Sequence, residues 1–268
     1  MDKGGISMHL RSLLTNKNRG IVCILVCIMA LGILAGCGQN QVSDTSENTA
    51  AENAAGNEGD HLTTENSQAQ TTDAFTKDTR ISDVMNYPAF GDYGRLIFPV
   101  NSSYYSGNTL GTLSLTWYTE IRPEKTVEIC NYFKDHADAG DVIFYDIYTD
   151  EEKAADPSKN DTGLFFFKGD PGAKFAVCNS GGGMVYVGSM HDSFPHALEI
   201  SKHGYNAFAC IYRAGYDTGP EDCARAVAFI FDHADELEVD TSDYSLWGGS
   251  AGARIADWVG TNGTAYYG

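Results

Sequence analysis

Basic residues are scarce: Lys and Arg together number 18 against 36 Asp and Glu in 268 residues, a formal net charge of −18. So acidic a chain repels phosphate backbones and anionic headgroups, which excludes nucleic acid as a partner and leaves charge unable to hold the protein on a membrane. Cysteine is sparse as well. The seven present form no C-x-x-C and no Cys/His cluster at metal-ligand spacing, so neither a metal nor another cofactor is expected. Long apolar runs are lacking apart from Ile21 to Leu34, which is too short for a stop-transfer helix.

That run has a different reading. Lys3, Arg11, Lys17 and Arg19 precede it and small residues follow, the order of a secretory signal. The ending Leu34-Ala35-Gly36-Cys37 resembles the bacterial lipobox, which implies cleavage after residue 36 and lipidation of Cys37. The expectation is a signal peptide over 1–36 and a protein held by lipid on the extracytoplasmic face of a bacterial membrane. An ordinary signal peptide, or a membrane anchor with an incidental cysteine, is the alternative. From Cys37 to Arg80 the chain is Asn, Gln, Ser, Thr, Glu, Asp, Ala and Gly, with Phe75 as its one aromatic. Such a stretch buries too little apolar surface to offset ordering, so 37–80 reads as a tether with a reach of roughly 35–40 Å.

Residues 81–268 then form the folded part, divided into an extension, 81–170, and a core, 171–268. Ile81 to Tyr118 predicts irregular structure with short strands. A helix is predicted over Pro123 to His136, with proline at its first turn and Gly140 as its stop. Val142 to Tyr148 and Leu164 to Phe167 read as an antiparallel strand pair. Past Lys174, strand and helix alternate: strands at Phe175–Cys178, Ala207–Tyr212 and Tyr244–Trp247, helices at Phe194–Lys202, from Pro220 onward, and at Ala251–Trp258. Alternation at this spacing implies parallel strands joined by right-handed crossovers, hence an α/β fold with a mostly parallel sheet and helices on both faces. Cys130, Cys178, Cys210 and Cys223 fall on apolar runs or stripes and read as core residues rather than disulfides.

Two motifs in the core carry chemistry. Gly248-Gly249-Ser250-Ala251-Gly252 is a G-x-S-x-G elbow between a strand and a helix. Its glycines suit a strained turn, and a helix N-terminus favours negative charge developing beside Ser250. The second motif is Ser180-Gly181-Gly182-Gly183-Met184, a glycine run directly after a strand, whose amide N–H groups can face an oxyanion. A phosphate-cradling loop is disfavoured, since the run lacks the G-K-[ST] ending and the G-x-G-x-x-G spacing.

From Lys174 to Gly268 the sequence resembles the central part of an α/β-hydrolase of the esterase/lipase type, including its hormone-sensitive-lipase-like and acetylxylan-esterase-like branches. The resemblance implies Ser250 as nucleophile and Gly182, Gly183 and Ala251 as oxyanion donors. It implies a partial α/β-hydrolase fold lacking the C-terminal strands, with the acid and histidine expected beyond Gly268. It also marks Ile211-Tyr212-Arg213 and Asp222 as structural positions. One departure is Ser180, where the family loop often begins with histidine, so another group must anchor the loop. Another is that all seven histidines precede Ser250. Of these, His191, His196, His203 and His233 read as solvated or capping residues. Asp257 stands about 10 Å along the exit helix, too far to orient a base.

The resulting expectation is a lipid-anchored serine hydrolase, a carboxylesterase on short acyl esters such as carbohydrate acetyl esters, inactive as this chain. Its partners would be a small-molecule or carbohydrate ester and the membrane through Cys37. A serine peptidase of the same fold and a non-catalytic surface or solute-binding lipoprotein are the alternatives.

Overall fold

The computed structural model describes the backbone of Ile21–Val22 and residues 74–267. The expected lipidation site Cys37, almost all of the expected signal segment and the expected tether up to residue 73 lie outside the described residues. No helix among the described residues is long and apolar enough to cross a membrane.

Packing already includes Phe75, upstream of the expected boundary at Ile81, because that ring supplies an apolar anchor that composition alone undervalues. Phe75 is buried against the rings of Tyr87 and Phe90, and its backbone exchanges two hydrogen bonds with the Asn131 side chain. The Lys77 and Thr79 carbonyls take the Gly111 and Leu110 N–H groups.

Among the described residues the central sheet has six strands: β1 (Ile21–Val22), β4 (Phe144–Tyr145), β5 (Gly163–Phe167), β6 (Ala173–Asn179), β7 (Asn206–Ile211) and β8 (Val239–Gly248). Their order is β1-β8-β6-β7-β5-β4. β1, β8, β6 and β7 run parallel, while β5 and β4 continue the same sheet antiparallel. A separate hairpin pairs β2 (Tyr105–Ser106) with β3 (Ser114–Leu115). The region around it, read as irregular from sequence, also contains α1 (Ile81–Met85) and a 3-10 run over Pro88–Ile97 broken at Gly91.

Residues of β5 alternate between the two cores. Phe165 and Phe167 face α2 (Pro123–Asp138) and α4 (Ser193–Lys202), meeting Phe133 and Phe194. Leu164 and Phe166 join Phe208 and the apolar sides of α5 (Thr218–Asp232) and α6 (Ala251–Asn262), where Val227, Ile230, Ile255 and Val259 are buried. Helices therefore cover both faces, and each large side chain so buried contributes about 1.5–3 kcal/mol of transfer free energy. α5 ends at Asp232, and Leu237 packs into the same core from the turn that follows. A short α3 (Asp150–Ala155) is closed by a Thr149/Glu152 capping box.

The order places the site. The chain leaves β6 for α4 and β7 on one side, then crosses by α5 to β8 on the other side of β6. Such a reversal opens a crevice at the carboxyl ends of the two diverging strands, the place where open α/β sheets bind ligands. The glycine run follows β6 and the elbow follows β8.

Candidate active site

Ser250 occupies the bend between β8 and α6 with φ +49° and ψ −112°, and its side chain is exposed. A non-glycine residue there stores about 1–3 kcal/mol of strain. The neighbouring glycines explain why the bend forms. A Cβ on Gly252 would lie 2.0 Å from the Asn179 carbonyl oxygen, and one on Gly248 would lie 2.2 Å from the Gly252 carbonyl group. A Cβ on Gly249 would sit 2.7 Å from a carboxylate oxygen of Asp192. Only hydrogen in these places lets the elbow press against the end of β6.

The glycine run lies against that elbow: a Cβ on Gly181 would be 3.2 Å from the Gly249 carbonyl oxygen. Gly182 (φ +138°) has no room for a side chain beside the Tyr186 carbonyl, and Gly183 (φ +62°) and Met184 (φ +61°) continue in the left-handed region. Among the described residues the N–H groups of Gly182 and Gly183 have no hydrogen-bond acceptor. The N–H of Ala251, first residue of α6, likewise has none, as the first turn of any helix dictates. Gly181 differs, since its N–H is committed to Asp192 at 2.7 Å.

Asp192 is the residue that pattern reading missed. Its buried carboxylate accepts from Gly181 N–H through Oδ2, and the same oxygen accepts from the Tyr118 hydroxyl at 2.9 Å. Oδ1 lies 3.4 Å from His196 Nδ1. The one available signal, an Asp just before a helix, points to an N-cap. Asp192 does stand at the N-cap of α4, but its side chain makes no capping bond. Ser180 gives the loop a second anchorage: its Oγ donates to Ser193 Oγ at 2.6 Å, and its carbonyl accepts from the Tyr212 hydroxyl at 2.6 Å. Burial and the nearby Asp192 carboxylate push the Tyr118 and Tyr212 hydroxyls up, so both are neutral donors.

No histidine hydrogen-bonds to Ser250 among the described residues. His196 is half-exposed and held up in pKa by its hydrogen bond to Asp192. His191 is mostly buried, its Nε2 lacks a partner among the described residues, and desolvation pushes its pKa down to about 4. His203 follows the last turn of α4, and His233 pairs with Glu236 after α5. Asp257 is exposed on α6. Arg213 and Asp222 make a structural knot: the fully buried Asp222 carboxylate accepts from Arg213 N–H at 2.6 Å, from its guanidinium, and from Tyr148 at 2.6 Å. Asp156 takes the outer guanidinium nitrogen. Cys130, Cys178, Cys210 and Cys223 are free and buried.

Chemically, the arrangement brings an exposed hydroxyl on a strained bend beside uncommitted amide donors at a helix N-terminus. The BD-FAE family model, a hydrolase-type esterase domain, matches residues 171–266. Among solved structures, the chain is similar to the thermophilic esterase Est2 from the Planctomycetes species Thermogutta terrifontis. Identity is 26%, covering 35% of this chain and 38% of that one, with a TM-score of 0.33. The match thus spans well under half of that esterase's length. No curated protein matches the sequence. Residues 171–266, the stretch that carries both the elbow and the glycine loop, are the part of the chain that is similar to an esterase-type α/β-hydrolase.

Proposed function

We propose that this protein is a lipid-anchored extracytoplasmic serine hydrolase, a carboxylesterase on short acyl esters. Ser250 is the nucleophile, and the N–H groups of Gly182, Gly183 and Ala251 receive the negative charge of the tetrahedral intermediate. The observation that carries the reading is the strained, exposed Ser250 at the N-terminus of α6, against a loop whose next two amides are uncommitted. In a protein without use for an exposed hydroxyl, that strain has no compensation. The Lys174–Gly268 resemblance and the lipobox-like Leu34-Ala35-Gly36-Cys37 support the remaining parts of the reading.

Activation of Ser250 needs a base, and no histidine follows it in this sequence. By itself the chain is therefore expected to turn over p-nitrophenyl acetate at rates several orders of magnitude below an enzyme's. Nucleophile and oxyanion hole can be tested without turnover. A fluorophosphonate probe is incubated with the chain in the presence of free imidazole as a surrogate base, and adducts are mapped by mass spectrometry. The expected result is a single adduct on Ser250, absent in Ser250→Ala. A probe that labels Ser245 or Ser180 equally, or nothing at all, overturns the assignment. Enzyme-like turnover of the chain alone, abolished by Ser250→Ala, would make an upstream histidine the base.

A further inference from the structure

Three consecutive residues of the loop after β6 hold positive φ: Gly182 at +138°, Gly183 at +62° and Met184 at +61°. Glycine reaches either hand of φ at no steric cost, so a run of glycines does not by itself hold its amides in one direction. Stabilising a developing oxyanion requires donors fixed beforehand, and the loop therefore needs bracing from outside. Its own hydrogen bonds hold only part of it. The Gly181 carbonyl accepts from Gly188 N–H at 3.0 Å, and the Gly182 carbonyl accepts from the N–H groups of Val185 and Tyr186. Gly183 takes part in no backbone hydrogen bond among the described residues. What meets it is the Trp117 ring: a Cβ on Gly183 would lie 2.8, 3.2 and 3.7 Å from Cζ3, Cη2 and Cε3 of the indole.

Trp117 is unexpected at its place. It is the third residue of a turn closed by Tyr118 N–H to the Leu115 carbonyl at 3.2 Å, and its φ of +70° is one that turns normally give to glycine or asparagine. It is also 59% exposed, so neither backbone preference nor burial accounts for a bulky aromatic there. Yet it is fixed on both sides. Thr116 N–H donates to the Tyr104 carbonyl at 2.9 Å, the Thr116 carbonyl accepts from the Tyr186 hydroxyl, and the Tyr186 ring stacks on Tyr104 at 4.7 Å. On the other side the Tyr118 hydroxyl donates to the Asp192 oxygen that also holds Gly181 N–H.

We propose that Trp117 is a positioning residue for the oxyanion loop: its indole holds Gly183 in the left-handed region and so keeps the Gly182 and Gly183 N–H groups free of bonds within the loop. This rests on the reading that those amides serve Ser250, and it goes beyond it by giving the N-terminal extension a part in the reaction. The strained turn at Trp117 is the counterpart of the freedom of the glycines it braces.

Trp117→Gly separates positioning from folding, because glycine adopts +70° without strain while the ring is removed. It is expected to unfold close to the wild-type urea midpoint, the relieved φ offsetting the lost packing and the added chain entropy. Fluorophosphonate labelling with imidazole resolves into probe affinity and a maximal rate, at which Ser250 Oγ displaces fluoride from phosphorus while imidazole takes the proton. Trp117→Gly is expected to lower the maximal rate about tenfold or more at unchanged probe affinity, and Trp117→Phe to regain most of it. Trp258→Phe, which alters an indole on α6, is expected to change nothing. Amide ¹⁵N relaxation of Gly182 and Gly183 is read in the same proteins and does not depend on the chemistry of Ser250. Both amides are expected to be rigid in the wild type and in Trp117→Phe, and mobile in Trp117→Gly. The proposal is overturned if the two amides stay rigid in Trp117→Gly, if the maximal rate is unchanged, or if the rate falls only in step with stability. A change in probe affinity alone also overturns it, since the ring would then contact the probe rather than hold the loop. A wild type that shows the expected relaxation pattern but no label on Ser250 would refute the nucleophile and not the brace, so the two failures are distinguishable.

Discussion

His191 makes the chain sensitive to mild acid, and the size of the effect follows from its surroundings. The ring is mostly buried, Nε2 finds no partner among the described residues, and desolvation brings its pKa from 6.5 to about 4. A base whose folded value is depressed binds fewer protons in the folded than in the unfolded chain at any pH between those two values. Stability from this group is therefore complete above about pH 6.5 and is lost progressively as pH falls toward about 4. With those two values, linkage gives a loss of about 2 kcal/mol at about pH 5 relative to about pH 8. The measurement is urea unfolding, followed by far-UV circular dichroism, of the wild type and His191→Phe at both pH values. Carboxylates common to both proteins cancel in the difference. The variant should unfold at nearly the same free energy as the wild type near pH 8, apart from a pH-independent packing offset, and should lose about 2 kcal/mol less on going to pH 5. Equal losses in the two proteins would mean that the imidazole is solvated or paired and that the reasoning from burial is wrong.

Two substitutions probe the architecture of the site. Gly252→Ala would place a methyl group 2.0 Å from the Asn179 carbonyl oxygen and 2.8 Å from that of Ser180, both backbone atoms. The elbow must then separate from β6, so thermal unfolding should show a loss of about 3 kcal/mol or more and fluorophosphonate labelling of Ser250 should vanish. Asp192→Asn keeps the shape but presents a weaker, uncharged acceptor to Gly181 N–H and Tyr118. Expected are a loss of about 1–3 kcal/mol in urea unfolding and a slower labelling rate at saturating probe, with Asp192→Glu no better. Unchanged labelling in Asp192→Asn would show that the loop is held by Ser180 and Tyr212 alone.

The core of the fold was legible because it obeys simple periods. The buried Phe208 and Cys210 face one way and Ala207 and Ala209 the other, and the apolar stripe of α5 recurs at helical spacing. Pro123 and Gly140 bracket α2 within two residues of its observed end at Asp138. Segments without a period were not legible. The 3-10 run over Pro88–Ile97 is broken at Gly91, and a break of that kind leaves no repeating pattern to read. The joining of β5 to β7 is a tertiary fact: Phe165 pairs with Ala209 across more than forty residues, and nothing local states it. Phe75 was assigned to the tether because its neighbours are polar, while its stabilisation comes from Asn131 and two rings distant in sequence.

At the site, the residues that must be small were written in the chain, and the residue that organises them was not. Ser180 in place of the family's histidine required a different anchor, and the structure supplies Asp192, delivered by the 3-10 turn Ser189–His191 that folds the chain back on the loop. That assignment bears on where strain collects. Four non-glycine residues among those described have positive φ: Trp117, Met184, Glu238 and Ser250. Glu238 closes an ordinary turn before β8. The other three belong to one cluster, with Trp117 resting on Gly183, Met184 next to it in the loop, and Ser250 on the elbow that touches Gly181. Strain of about 1–3 kcal/mol per residue persists only where surrounding contacts over-determine the backbone. Here those contacts converge on a single carboxylate, which binds the loop and the Tyr118 segment and fills the space left by Gly249. Loosening Asp192 should therefore relax the loop, the Tyr118 segment and the elbow together rather than one of them, a cooperativity that hydrogen exchange at the bonded amides of Gly188, Tyr118 and Gly252 would register as a common rise in rate.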